Sequence, residues 1–295
     1  MVTSSSDIIA AFGSEKGKVV LQNGHAVAYV MAGSSNAPNS FVLIPGAPGS
    51  FRDFRFLVPG LVSDSFNVIA FDVPGCGLSS ANAAGGPFMT NASAIDALVE
   101  ALDEGPLATT TDGHPRRCFL VGHSFGGGSV LHIAPRLKHV ALGGLALLAP
   151  SGFRHHKHAR PVFVTQFIYW LLTWSIVTRV LATTILRFVF VQLSGFSNRL
   201  TNDEITTSTQ RVATFDFGLA KQSAEVLAAK STPVFLAYAT NDPIIEQEIG
   251  QEIATVLRPS VKLVYSTGGH HPQRTHADEI AAALAKWAKE AVETK

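Results

Sequence analysis

Cysteine is almost absent from this chain: of 295 residues, only Cys76 and Cys118 are cysteine. That excludes a disulfide framework and offers no Cys/His spacing for a zinc site, so both thiols are read as reduced in a reducing compartment. Charge is scarce too. Asp, Glu, Lys and Arg make up 15% of the residues and the net charge is +1. Soluble domains usually carry roughly 25%. Neither a nucleic-acid-binding basic surface nor an acidic solvating tail fits such a balance. The first residues, Met1-Val2-Thr3-Ser4-Ser5-Ser6-Asp7, lack the basic and apolar regions of a secretory signal. A cytoplasmic rather than secreted protein is expected, and the sequon Asn91-Ala92-Ser93 is read as chance. Repeats and low-complexity segments are missing.

What is plentiful is apolar residues, 46% of the chain. They come in short runs that end in Gly, Pro or Asp, with longer helical stretches between. Val19-Val20-Leu21 and Val27-Ala28-Tyr29-Val30 flank Asn23-Gly24, a hairpin signal. Further runs lie at Phe41–Ile44, Val68–Phe71, Cys118–Val121, Leu145–Leu148, Val234–Tyr238 and Val261–Tyr265. Most are apolar on both parities, as parallel strands covered on both faces are. Helices are expected within 91–103, 125–137, 245–257 and 277–292, the last with Ile280, Ala283, Leu284 and Trp287 on one face. The pattern predicts an α/β fold: a mostly parallel sheet that begins with antiparallel strands and has helices on both faces.

The sharpest motif is Gly122-His123-Ser124-Phe125-Gly126, between the run at Cys118–Val121 and a helix. This is G-x-S-x-G on a strand–turn–helix, which lifts a serine hydroxyl above a sheet edge. A serine hydroxyl needs a base to act as a nucleophile. His270, just past Val261–Tyr265 and Gly268-Gly269, is the first histidine off that strand, and His271 is its rival. The base in turn needs an acid to hold its tautomer. Asp242 lies just past Val234–Tyr238, whereas the preceding strand ends in Pro150-Ser151-Gly152 without a carboxylate. Donors for a developing oxyanion would be the backbone N–H groups of Phe125 and of Ala47, in Pro45-Gly46-Ala47-Pro48-Gly49-Ser50. Neither proline of that loop can donate.

Taken together these segments resemble the alpha/beta hydrolase family. Gly46–Ser50 is similar to its H-G-x-P-G-S loop, Asp72-Val73-Pro74-Gly75-Cys76-Gly77-Leu78-Ser79 to its D-x-P-G-x-G-x-S turn, Val121–Gly127 to V-G-H-S-x-G-G, and Gly268-Gly269-His270 to G-G-H. The resemblance covers residues 17–150 and 230–292. It implies a Ser124, Asp242 and His270 triad in the family's Ser…Asp…His chain order. Cofactor and metal are not implied. Pro45 departs from the family, which has a bracing histidine there. A serine rather than an aspartate nucleophile argues against epoxide hydrolase and haloalkane dehalogenase activity.

The strand–helix alternation stops between about Phe153 and Lys230. The resemblance implies a helical cap inserted after the sixth strand, so residues 153–229 are expected as cap and 1–152 with 230–295 as core. The cap opens with Arg154-His155-His156-Lys157-His158-Ala159-Arg160, in which the cluster of His155, His156 and His158 is read as a solvated entrance. Residues 162–178 carry no charge, and Phe163, Phe167, Trp170 and Trp174 are expected either to line a substrate pocket or to pack the cap. The apolar stretch is near the ~17-residue limit for spanning a membrane. Spanning conflicts with completing the sheet on both sides of it, but weak peripheral contact with a membrane does not. The expected activity is hydrolysis of small apolar or lipid esters. Carbon–carbon or amide hydrolysis, cofactor-free haloperoxidation, and a catalytically silent receptor or scaffold are the alternatives.

Overall fold

The computed structural model describes Phe12 and residues 15–105, 116–193 and 196–293. The segment Met1–Asp7 and the side chain of His158 lie outside the described residues. The strands are β1 (Glu15–Val20), β2 (Ala26–Ala32), β3 (Asn39–Ile44), β4 (Phe66–Phe71), β5 (Arg117–His123), β6 (Ala141–Leu148), β7 (Val234–Ala239) and β8 (Val261–Tyr265). The main helices are α1 (Asn91–Glu104), α2 (Phe125–Ile133), α3 (Val162–Trp174), α4 (Ile176–Phe188), α5 (Asn202–Ala213), α6 (Phe217–Ala229), α7 (Gln247–Leu257) and α8 (Ala277–Glu293).

One sheet holds these strands in the order β1-β2-β4-β3-β5-β6-β7-β8. The β1–β2 hairpin closes at Asn23-Gly24, where the Gly24 N–H donates to the Leu21 carbonyl at 2.9 Å. β2 pairs antiparallel with β4, and from β4 to β8 every neighbour is parallel. Each apolar run singled out in the sequence lies on one of these strands, apart from Leu21, which falls just past the end of β1. Alternate strand residues point to opposite faces. On one face Phe41, Leu43, Phe119, Val121, Phe235 and Ala237 pack against Ile280, Leu284 and Trp287 of α8. On the other, Val42, Ile44, Leu120, Leu147 and Leu236 pack against α1, α2, α6 and α7. Burial on both faces is why the central strands read as continuous apolar runs. β8 lies at the sheet edge and is only half-buried.

Between β6 and β7 the chain runs through α3, α4, a π-helical turn (Val189–Leu193), α5 and α6. Leu172, Ala182, Leu186 and Ile205 join α3, α4 and α5 in a small core of their own. By packing, α6 goes with the sheet instead: Ala224 and Leu227 are part of the main core. α5 rests on the loop that leads to α1. Gln210 donates to the Pro87 carbonyl at 2.7 Å and Thr207 to the Gly75 carbonyl at 3.2 Å. The segment enters over the basic residues at 154–160, which are not free in solvent. Arg154 pairs with Glu246 at 2.6 Å and Glu252 at 2.8 Å, and Arg160 also pairs with Glu246.

One helical stretch, Ile176–Leu193, is long and apolar enough to cross a membrane by length and composition. Topology opposes a crossing. β6 and β7 flank this segment and are hydrogen-bonded neighbours in one sheet, so they lie on one side of any boundary. α3, at 13 residues, is about 20 Å long at 1.5 Å per residue and falls short of a return pass.

Candidate active site

The turn after β5 places Ser124 at φ 53° and ψ −123°, a backbone conformation that a non-glycine residue rarely holds. Its neighbours explain how the chain affords this. A Cβ on Gly122 would come within 2.4 Å of the Gly126 carbonyl oxygen, and one on Gly126 within 2.2 Å of the Ile44 carbonyl oxygen. Only glycine fits at either position, as the motif required. The Ser124 amide is pinned to the Leu148 carbonyl at 2.9 Å, which ties the elbow to the end of β6.

The loops after β7 and β8 deliver the other two residues. His270 Nε2 lies 2.7 Å from Ser124 Oγ, and His270 Nδ1 lies 2.8 Å from Asp242 Oδ2. Asp242 Oδ1 accepts the N–H groups of Ile244 at 2.8 Å and Ile245 at 3.0 Å, so its carboxylate is fixed from both sides. Burial works to raise the pKa of Asp242. The hydrogen bond from His270 and the two backbone donors outweigh it, and the group sits below its ordinary value. Ser124, Asp242 and His270 are all buried. His271, the rival base, instead lies with its ring 5.0 Å from His123 and 5.4 Å from His270. Desolvation and the neighbouring His270 hold it down to about 4, so it is a neutral ring at pH 7.

His123 was not singled out from the sequence, although it stands inside the motif. Its Nε2 lies 2.8 Å from the His270 carbonyl oxygen. Burial, then His270 and His271, push it well below the ordinary histidine value. A neutral ring has one N–H, and the carbonyl partner assigns it to Nε2. The residue before the nucleophile thus braces the backbone of the histidine beside it.

The loop after β3 lies against the nucleophile: a Cβ on Gly46 would be 3.0 Å from Ser124 Cβ. Ala47 packs with Phe153, Val212 and Phe217 around Phe125 and Phe215. Pro45 supplies no bracing side-chain hydrogen bond, and two carboxylates hold this loop instead. Asp72 accepts the Phe51 N–H and the Leu78 N–H, both at 2.8 Å, and so ties the loop to the turn at 72–79. Asp53 accepts the Ser50 N–H at 3.1 Å. Burial pushes both carboxyls up to about 6 against these bonds.

The expected pocket aromatics lie elsewhere. Phe163, Phe167, Trp170 and Trp174 are all exposed on α3. Phe167 stacks on Trp170 and Trp170 on Trp174, with ring centroids 5.7 and 4.6 Å apart. α3 carries no charge and its large apolar residues lie on most of its circumference, so spacing alone does not direct its faces. Ile168, Leu171 and Leu172 take the inward one. The rings that pack directly around the residue after the nucleophile are Phe215, Phe217 and Phe153.

α5 has the opposite character. Thr206, Thr207, Ser208, Thr209, Gln210 and Arg211 are all buried. The threonine hydroxyls are satisfied by carbonyls one turn back along α5. Arg211 is 0% exposed, and among the described residues Nε, Nη1 and Nη2 have no hydrogen-bond partner. Its guanidinium carbon lies 5.1 Å from the centroid of the Phe125 ring. Its electrostatic neighbour is the Cys76 thiol. A cation over a ring is worth up to ~2 kcal/mol when desolvated. Removing an ion from water costs several kcal/mol. The ring alone therefore does not balance the burial.

Residues 41–283 match the model of the alpha/beta hydrolase family. No curated protein matches the sequence. Solved structures similar to the chain include a haloalkane dehalogenase from Bradyrhizobium elkani USDA94, at 19% identity and a TM-score of 0.70 over 95% of this chain and 99% of that one. An esterase from Exiguobacterium antarcticum is similar at 14% identity and a TM-score of 0.66, over 92% of this chain and 98% of that one. An alpha/beta hydrolase fold protein from Burkholderia ambifaria is similar at 20% identity and a TM-score of 0.67, over 92% and 97%. At such identities the likeness is one of fold.

Proposed function

The chain belongs to the alpha/beta hydrolase family and has its fold, and from that premise we propose that it is a serine hydrolase cleaving apolar carboxylic esters through an acyl-enzyme. The observation that carries the reading is the unbroken relay from Ser124 Oγ through His270 to Asp242. Ser124 Oγ attacks the ester carbonyl carbon while His270 Nε2 takes its proton. The carbonyl electron pair moves onto oxygen, where the N–H groups of Phe125 and Ala47 stabilise it. The tetrahedral adduct collapses, and the alcohol leaves with the proton from His270. Water then repeats the attack on acyl-Ser124 with His270 again as base. Asp242 keeps the imidazole oriented and offsets its positive charge.

A fluorophosphonate labels only an activated serine at neutral pH. Intact mass is expected to show one adduct on the wild-type chain and none on Ser124→Ala. An adduct that survives the substitution removes Ser124 as nucleophile. No label on the wild type favours the silent scaffold. Labelled protein that turns over no nitrophenyl ester moves the chemistry to an amide or carbon–carbon bond.

We read α3–α5 as a lid over this site, which docks on a lipid surface. The exposures of Trp174, Ile176 and Val177 are 64%, 73% and 74%, and Val180, Leu181, Ile185 and Phe188 continue the face along α4. Large exposed apolar patches mark interaction surfaces. Charge points to lipid as the occupant. Arg179 and Arg187 are the only charged residues between 162 and 198. Both turn back onto backbone carbonyls: Arg179 onto Pro87 at 2.7 Å and Arg187 onto Leu200 at 2.8 Å. Stacked tryptophans at such a face suit the membrane interface. Phosphatidylcholine vesicles are expected to sediment the protein. A stable dimer in gel filtration with no sedimentation would make a second copy the occupant.

A further inference from the structure

Between β6 and β7 the chain buries a cation against the ring of the residue next to the nucleophile, and ester hydrolysis as proposed makes no use of it. Arg211 is wholly buried, and among the described residues no hydrogen bond to any of its three guanidinium nitrogens meets normal geometry, the Cys76 thiol being the one polar group against it. It sits against the ring of Phe125, the residue next to Ser124. The Cys76 thiol beside it lies 3.8 Å from Ser208 Oγ of α5, in the 72–79 turn that Asp72 ties to the loop after β3. So the cation lies where the nucleophile's own turn, the turn at 72–79 and α5 meet. Along α5 the neighbouring threonines satisfy themselves on their own helix. Arg211 alone presents unused donors.

Resting on the serine hydrolase reading, we propose that Arg211 binds a carboxylate of the substrate, so that the esters cleaved carry a free acid group a short distance from the scissile carbonyl. A guanidinium offers parallel N–H donors that match the two oxygens of a carboxylate. The ligand is a monoanion because Arg211 stands alone. A phosphate dianion calls for a second cation, and among the described residues the only electrostatic partner of Arg211 is Cys76. Phe125, Phe215 and Phe217 supply an apolar wall beside this cation. The matching substrate is a hemiester of a dicarboxylic acid, with an apolar spacer between the acid and the ester.

The test compares monoethyl glutarate, adipate and pimelate with the neutral ethyl pentanoate, hexanoate and heptanoate, on wild-type protein and on Arg211→Met. Methionine keeps bulk without charge, and replacing a buried ion by an apolar side chain is often neutral or stabilising. Wild-type kcat/KM is expected to favour the best hemiester over its neutral partner by about 30-fold or more, in line with a charge-assisted hydrogen bond. The ratio should fall to about one in Arg211→Met, with Tm unchanged or raised. A wild-type ratio near one, or a ratio that survives Arg211→Met, overturns the proposal.

Binding separates this from failure of the hydrolase reading. In Ser124→Ala, monoethyl glutarate is expected to raise Tm, and Ser124→Ala with Arg211→Met is expected to lose that rise. If the wild type cleaves no ester but the rise is present, the carboxylate site stands and the reaction is another one. If the rise is absent, the carboxylate site falls whatever the activity. Inorganic phosphate run as a competitor should compete more weakly than glutarate, and stronger competition would assign the cation to phosphate.

Discussion

α3 with α4 and α5 lie in one stretch of chain between β6 and β7, yet they solve opposite problems. α3 and α4 show Phe163, Trp174, Ile176 and Val177 to the outside. α5 buries a run of threonines, a glutamine and an arginine. A helix in a water-soluble lid ordinarily does the reverse, apolar stripe inward and polar face outward. The inversion makes sense if the outside of the lid meets something apolar and the inside meets something polar. What separates the two regions is a thin core of Leu172, Ala182, Leu186 and Ile205, which holds one against the other.

That division is open to attack at several points. Removing the reaction itself should leave both surfaces intact: His270→Ala is expected to cost on the order of 10³-fold or more in ester kcat/KM. His271→Ala should cost no more than a few fold, because its ring makes no hydrogen bond to Ser124 among the described residues. Steady-state kinetics beside vesicle sedimentation would show chemistry lost and docking kept. Equal losses in the two variants would break the assignment of the base. Next comes the joint. Ile205 is fully buried where α5 meets α3 and α4. Ile205→Ala should destabilise by about 2–5 kcal/mol through lost burial and an unfilled cavity, measurable by urea unfolding. A loss well under 1 kcal/mol would mean that the two layers do not depend on this contact. Third, Ile176→Asp with Val177→Asp puts charge on the outer face only. Vesicle partitioning should fall at least roughly tenfold, given the ~2.5–3.5 kcal/mol cost of aspartate at the centre of a bilayer. Turnover of a soluble ester should hardly move, and a parallel fall in turnover would show that the outer face is part of the substrate path.

The contrast also marks where reading the sequence succeeded and where it stopped. Strands buried on both faces announce themselves as runs, and residues at the ends of such runs have their places fixed by topology. That is why Ser124, Asp242 and His270, far apart in the chain, could be named and then meet at 2.7 and 2.8 Å. The lid gave no such handle. α3 is apolar over most of its circumference, so Phe167 and Trp170 could not be directed inward or outward by spacing. Hydropathy carries no sign that the polar residues of α5 are buried. The ion pairs of Arg154 and Arg160 could not be foreseen, because their partners, Glu246 and Glu252, lie about ninety residues away in sequence.

Those partners set the smallest effect, at the point where the lid leaves the core. Glu246 caps the start of α7, accepts the Lys157 N–H at 2.9 Å and pairs with Arg154 and Arg160. Burial would raise its pKa. The backbone N–H of Lys157, its own backbone and Arg154 more than offset this and hold it at about 2, against 4.5 for a free glutamate. A carboxyl depressed on folding stabilises the native state only where it is ionised, so its contribution is complete above about pH 4.5 and disappears as the pH falls towards 2. Arg154 and Arg160 are substantially exposed, so screening keeps the whole contribution to about 1 kcal/mol. Glu246→Gln should therefore lower Tm by about 2 °C at pH 7. The gap between variant and wild type should close between pH 4.5 and 2, read by thermal unfolding at a series of pH values. A gap that is constant with pH would mean that Glu246 acts by shape and not by charge. The outer face of the lid carries almost no charge and should not share this pH dependence: vesicle binding by the variant at pH 7 should match the wild type. A drop in binding there would show that the lid's anchorage and its apolar face are one device.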